Sequence, residues 1–410
     1  MKISSVSVYN AWINNLFLLC GVFFSACGTP APGQPALIAT GADQTALYLP
    51  LLEGKAVGLV ANHTTVIGKS HLADSLLRLG VKLVRIFVPE HGFRGDADAG
   101  EEIGNSIDGK TGLPLISLYG SAYKPKPADL QGIDIMIYDI QDVGVRFYTY
   151  ISTLHYLMEA CSENGISLLV LDRPNPNGHF VDGPLLDTAF TSFVGMHPIP
   201  VVYGMTAGEL AGMINGEGWL SGGSTCELQV IPCKGYDHNT FYKLPVNPSP
   251  NLNSMEAIYL YPSLCFFEGT IMSLGRGTPF PFRLIGHPDY PGHTFSFVPE
   301  ATRSNRSPVL KDQVCYGIDL TGIPADSLQS LRSVSLKWLI DIYRHMKKGK
   351  FFFNDYIDKL AGNGELRKQI LAGWTEAQIR ESWQDDLREF NNRRKKYLLY
   401  NCMNNHNIIS

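Results

Sequence analysis

The chain has no basic field, no apolar run of membrane-spanning length and none of the compact signatures that mark the common hydrolase and nucleotide-binding classes. Its formal net charge is -4 across 410 residues, of which 18% are charged, and this argues against a nucleic acid partner, whose backbone calls for a positive surface. The one basic run, Arg393-Arg394-Lys395-Lys396, follows a polar helical stretch and reads as a solvated helix end favoured by the helix dipole. Eight cysteines include no CxxC pair, so a zinc ribbon is not expected. There is no GxSxG elbow, no Walker loop, no HExxH and no GxGxxG opening a helix directly after a strand. His63, His91 and His155 lack ligand spacing and read as hydrogen-bonding partners. Neither a metal nor a cofactor is expected.

What is present begins with a leader. Lys2 precedes the apolar stretch Leu16 to Phe24, far short of the roughly 20 residues that a membrane span requires, so residues 1–26 read as an export signal. Phe24-Ser25-Ala26-Cys27-Gly28 resembles a bacterial lipobox, with phenylalanine replacing the usual leucine, and this makes Cys27 the lipidation site. Residues 27–40, rich in proline and glycine, then form a tether. A membrane attachment through that lipid and a periplasmic or outer-membrane location are the expectations. Export raises the question of disulfides. Cys226 and Cys233 bracket an apolar strand candidate rising about 3.3 Å per residue, which holds them out of bonding reach. Cys161, Cys265 and Cys315 read as buried free thiols.

From residue 41 an alternation sets in. Lys55 to Ala61, Lys82 to Val88, Pro114 to Leu118, Asp134 to Tyr138 and Ile166 to Leu171 are apolar strand candidates. Helical patterns lie between them: one capped by Ser70, with Leu72, Leu76 and Leu77, and one from Phe147 to Glu163. This is the rhythm of a parallel α/β sheet. The texture changes near residue 195. Capping boxes at Thr206-x-x-Glu209 and Thr375-x-x-Gln378 open two later helices, and a Pro-, Gly- and aromatic-rich middle runs from Pro245 to His293. The expected division is 41–195 as the parallel-sheet domain and 196–410 as a smaller α+β domain closing over it.

A parallel sheet gathers the carboxyl ends of its strands along one edge, and ligands bind in the crevice outside that edge. Asn62, Glu90, Asp139 and Asp172 are therefore expected at one crevice. Glu90 has the weakest structural excuse, because glutamate is a poor turn former. Asp139 and Asp142 are candidates for the second of the two carboxylates that glycoside hydrolysis needs, and Tyr148 for a hydroxyl donor beside them. In the second part, Pro248-Ser249-Pro250-Asn251, Phe267-Glu268-Gly269-Thr270 and Leu274-Gly275-Arg276-Gly277-Thr278 read as binding loops, with Arg276 suited to a carboxylate.

Together, Gly58-Leu59-Val60-Ala61-Asn62, Pro89-Glu90-His91-Gly92, Asp139-x-Gln141-Asp142-x-Gly144-x-Arg146-x-Tyr148, Asp172-Arg173-Pro174-Asn175-Pro176 and the loops around Asn251 and Arg276 resemble the NamZ-type exo-β-N-acetylmuramidases. The resemblance covers nearly everything after residue 45. It implies a Rossmann-like first domain, a smaller second one and a site in the cleft between them. It also implies release of N-acetylmuramic acid from the non-reducing ends of peptidoglycan glycans, and Glu90 as the catalytic carboxylate. The second catalytic group is left open among Asp139, Asp142 and Tyr148. Asn62, His91, Arg146, Asp172, Arg173, Asn251, Glu268 and Arg276 are candidate substrate contacts, with an arginine placed to read the lactyl carboxylate of the sugar. Rival readings are a lipoprotein that binds peptidoglycan fragments without cleaving them and a metal-dependent envelope hydrolase.

Overall fold

The computed structural model describes residues 38–90, 92–94, 105–120, 122–303 and 305–400. The leader, Cys27 and His91 lie outside them.

Seven strands form the main sheet: β1 (Ala56–Ala61), β2 (Lys82–Val88), β3 (Ser106–Ile107), β4 (Pro114–Ser117), β5 (Ile135–Asp139), β6 (Ser167–Leu171) and β7 (Leu228–Ile231). Their spatial order is β3-β4-β2-β1-β5-β6-β7, parallel throughout except for the short β3 at one edge. Every residue of β1 and β5 is buried, which is why these strands read as unbroken apolar runs instead of alternating ones. The chain goes from β1 outward through β2 and β4, then crosses back to β5 on the other side of β1. That reversal is a topological switch point, where open α/β sheets leave a crevice.

The elements around the sheet follow local rules, with two departures. Helix α1 (Leu72–Arg78) begins one residue beyond the expected cap. Ser70 instead pairs in a small ribbon, and His71 supplies the cap through Nδ1, which accepts from the Ala73 amide at 3.2 Å. Helix α2 (Tyr150–Asn164) starts three residues later than its apolar pattern and ends at Gly165, whose φ of 64° closes it. Helix α3 (Ala207–Gly216) opens with the Thr206 and Glu209 box as read from sequence.

The expected boundary at 195 falls within the chain path of the main sheet, because β7 pairs with β6 from Leu168↔Leu228 onward. The smaller C-terminal part carries a three-stranded antiparallel sheet, with β8 (Leu284–His287), β9 (Ser296–Phe297) and β10 (Cys315–Asp319) in the order β8-β10-β9, and several helices. It is not an independent core. Val60 and Phe87 of the main sheet, Leu154 of α2, and Leu339 and Phe390 near the C-terminus belong to one buried cluster. Apolar burial at roughly 25 cal/mol per Å² therefore fixes the second part against the first. The cysteines among the described residues are buried and free.

Candidate active site

Strand register brings the first two groups together. Val88 of β2 lies opposite Ser117 of β4, so two residues beyond the pairing the chain places Glu90 beside Tyr119. The Tyr119 hydroxyl hydrogen-bonds the Glu90 side chain, and burial, then the Glu90 charge, hold that phenol well above its ordinary range. The loop after β5 runs into α2 and brings up Tyr148 and Tyr150. The Tyr150 hydroxyl reaches the Glu90 carbonyl at 3.4 Å. The Tyr148 hydroxyl donates to the Pro248 carbonyl at 2.6 Å, which ties the first part to the Pro248–Asn251 turn of the second.

These residues line a cavity of about 340 Å³ outside the carboxyl ends of β2, β4 and β5. Tyr123 and Phe193, stacked with ring centroids 4.0 Å apart, form part of its wall. Asn251, Glu268, Arg276 and Tyr356 arrive from the C-terminal part. Arg276 pairs with Glu268 and lies over the Phe282 ring at 5.0 Å. Tyr356 has its phenol raised by burial first, with contributions from the charges of both Glu268 and Glu90, so it lies within electrostatic reach of the two carboxylates that line the cavity.

The other acids expected here face elsewhere. Asp139 is fully buried and gives both oxygens to Arg173, at 2.5 and 2.9 Å. Burial pushes its carboxyl up while Arg173 pulls it down. Asp142 accepts from the Tyr203 hydroxyl and from the Gly144 amide at 2.7 Å, and burial raises it to about 6. Neither lines the cavity. Asp139 ends β5, where the pleat turns it into the protein, whereas Asp142 lies three residues further along the loop and is held inside by its bonds to Tyr203 and Gly144.

Three other candidates are likewise spent on structure. Asp172 accepts from Thr206 Oγ1 at 2.6 Å, the Gly208 amide at 2.9 Å and the Tyr400 hydroxyl at 2.6 Å, anchoring the start of α3 to Tyr400. Arg146 has no exposed surface and donates to four backbone carbonyls, those of Pro184, Ile199, Leu360 and Ala361, at 2.6–2.9 Å. Among the described residues no carboxylate pairs with it, and burial lowers it to about 9. Asn62 turns its side-chain oxygen to Thr64, at 2.8 Å from the amide and 2.6 Å from the hydroxyl, and its amide toward the Tyr150 hydroxyl beneath the cavity.

Of the sequence candidates, Glu90, Tyr148, Asn251, Glu268 and Arg276 converge on the cavity. The aromatic wall of Tyr119, Tyr123, Phe193 and Tyr356 was not read from sequence. Tyr119 was accessible to the same strand-end reasoning as Glu90, two residues past the Pro114–Ser117 strand. Tyr123 lies in a bend, Phe193 in a turn, and Tyr356 opens a short helix, Tyr356–Ala361, so none of the three carries a periodic signal. Among the described residues, no group of three His, Cys, Asp or Glu is arranged to hold a metal ion.

A parallel-sheet protein with a small acidic cavity, walled by aromatic rings and closed by a second part, is the class that this geometry defines. The family model for Exo-beta-N-acetylmuramidase NamZ, N-terminal, matches residues 57–256, and that for Exo-beta-N-acetylmuramidase NamZ, C-terminal, matches residues 259–400. The chain belongs to the NamZ family. It is 40% identical over 381 residues to the peptidoglycan beta-N-acetylmuramidase NamZ of Bacillus subtilis (strain 168), a match covering 86% of this chain and 89% of that one. Two crystal structures of DUF1343 family proteins from Bacteroides fragilis NCTC 9343 share the fold. One has a TM-score of 0.83 and 45% identity, the other 0.76 and 30%, and each match covers 89% of this chain and 99% of the other.

Proposed function

We propose that this protein is an exo-acting glycoside hydrolase that releases N-acetylmuramic acid from the non-reducing ends of peptidoglycan glycans, with Glu90 as its catalytic carboxylate. The observation that carries the reading is Glu90 itself, an acid at a strand's carboxyl end lining a cavity of about 340 Å³. That volume is at the small end of the roughly 300–1,000 Å³ of ligand sites, which suits one terminal sugar and not a threaded strand. Family membership and the glycosidase among its relatives give the substrate class.

In this reading Glu90 donates its proton to the glycosidic oxygen as the bond to the leaving sugar lengthens. The Tyr119 hydroxyl holds the carboxyl group in place before transfer and stabilises the carboxylate that transfer leaves. Tyr123 and Phe193 offer apolar faces to the sugar ring and keep water from its exposed side. Arg276 supplies the cation for the lactyl carboxylate. The N-terminal signal and Cys27 make the protein an exported lipoprotein held at a membrane where its polymer lies. Incorporation of a tagged fatty acid in the wild type, lost in Cys27→Ser, checks that part.

Glu90→Gln tests the assignment directly, since it preserves shape and removes the acid. The variant should melt as the wild type does, and its release of N-acetylmuramic acid from a chromogenic glycoside should fall by at least about 100-fold, the usual contribution of a general acid. Turnover within tenfold of the wild type would remove Glu90 from the chemistry.

A further inference from the structure

The Glu268–Arg276 pair lies on a boundary. Both residues line the cavity that holds Glu90, and both also line a second chamber of about 290 Å³ on their other side. The two members are held unequally. Arg276 is seated over Phe282 at 5.0 Å. Apart from Arg276, the Glu268 carboxylate has one weak partner among the described residues, the Cys265 thiol at 3.9 Å. Their side chains keep 24% and 28% of their surface exposed, so an incoming anion can reach the guanidinium.

The second chamber contains a group that the resting arrangement leaves without a role. Ser273 lines it and is 1% exposed, and its hydroxyl has no hydrogen-bond partner among the described residues. A buried hydroxyl without a partner costs free energy and calls for an explanation. A carboxylate entering the chamber would supply one, as the acceptor for that O–H.

We propose that Glu268 is an internal stand-in for the substrate's carboxylate: a carboxylate-bearing sugar takes its place on Arg276, and Glu268 withdraws into the second chamber, where Ser273 receives it. The exchange makes recognition a competition between two carboxylates for one guanidinium. Sugars without an acid group have nothing with which to win it. Glu268 thus sets specificity through Arg276, with no contact to the reacting atoms. The inference rests on the reading above only in taking the ligand to be an acidic amino sugar.

Calorimetric titration of the full protein with N-acetylmuramic acid, and with N-acetylglucosamine, which lacks the lactyl carboxylate, separates the possibilities. If the stand-in occupies Arg276 about nine-tenths of the time, Glu268→Gln should bind N-acetylmuramic acid up to about tenfold more tightly. Its affinity for N-acetylglucosamine should not change. Ser273→Ala should weaken N-acetylmuramic acid binding by a few-fold, because the displaced carboxylate loses its donor. In glycoside kinetics, the fall in KM of Glu268→Gln should exceed any change in its kcat. Equal or weaker binding of N-acetylmuramic acid by folded Glu268→Gln overturns the proposal. A kcat collapse also overturns it and assigns Glu268 to the reaction itself. Wild-type protein that shows the binding pattern but releases no sugar would refute the hydrolase reading and leave this one standing.

Discussion

Arg146→Met removes a buried guanidinium that sequence reading had offered to the substrate. Four carbonyls, from Pro184, Ile199, Leu360 and Ala361, lose their donor in this variant. At about 1–3 kcal/mol for each buried acceptor left without a partner, the loss is about 8 kcal/mol near the middle of the range. Relief of charge burial offsets part of it. Burial brings the guanidinium from 12.5 down to about 9, equivalent to about 5 kcal/mol of penalty on the charged form. The net destabilisation is then about 3 kcal/mol, or a fall in Tm of roughly 4 °C for a folded chain of this length. Arg146→Lys should fall between the two, because one ammonium has three donors for four acceptors. Thermal unfolding by circular dichroism measures the effect. Glycoside kinetics well below the transition should show KM close to that of the wild type, because Arg146 is buried against backbone carbonyls and does not line the cavity. A variant that melts normally but loses affinity only for carboxylate-bearing sugars would refute the structural role and restore Arg146 to the substrate.

Further outcomes follow from the same geometry. Arg173→Met leaves Asp139 as a buried charge without its ion-pair partner and should cost about 3–5 kcal/mol in urea unfolding. Adding Asp139→Leu should recover part of that loss, whereas a catalytic Asp139 would show no such coupling. Burial raises the Asp142 carboxyl to about 6, above its unfolded value near 3.9, so the folded state favours the protonated form. Its contribution to stability is present at low pH and is lost as pH rises from about 4 through about 6, by up to about 3 kcal/mol. Asp142→Asn should flatten that slope, and an unchanged pH profile would contradict the burial argument. Gly144 has a φ of 72°, and a Cβ there would lie 2.2 Å from the Asn175 side chain. Gly144→Ala should therefore cost about 1–3 kcal/mol and disturb Tyr148 downstream, read as lower kcat with a lower Tm.

The main sheet was legible because its central strands are buried on both faces and so read as apolar runs. The Lys82 to Val88 run also led straight to Glu90. The Leu228–Ile231 segment reads as a strand candidate, but its place in the main sheet is not legible, because it is short, only its last residue is buried and it lies beyond the expected domain boundary. Asp139 and Asp142 show where strand-end reasoning stops. Both lie at the edge where chemistry is expected, and both turn inward to partners, Arg173 and Tyr203, that are 34 and 61 residues away in sequence. Partners at such separations leave no trace in local spacing. The Glu268–Arg276 pair was half visible, since each residue was singled out as a contact, but their pairing needs two loops to fold toward each other.

Tyr400 donates to Asp172 across 228 residues of chain. During synthesis from the N-terminus, β6 and the aspartate that follows it emerge long before that hydroxyl exists. Until then the Asp172 carboxylate at the sheet edge lacks one of its three donors. Tyr400 therefore works as a late completion signal for the sheet edge. A chain ending before it would carry nearly all of its fold with the Asp172 seam open.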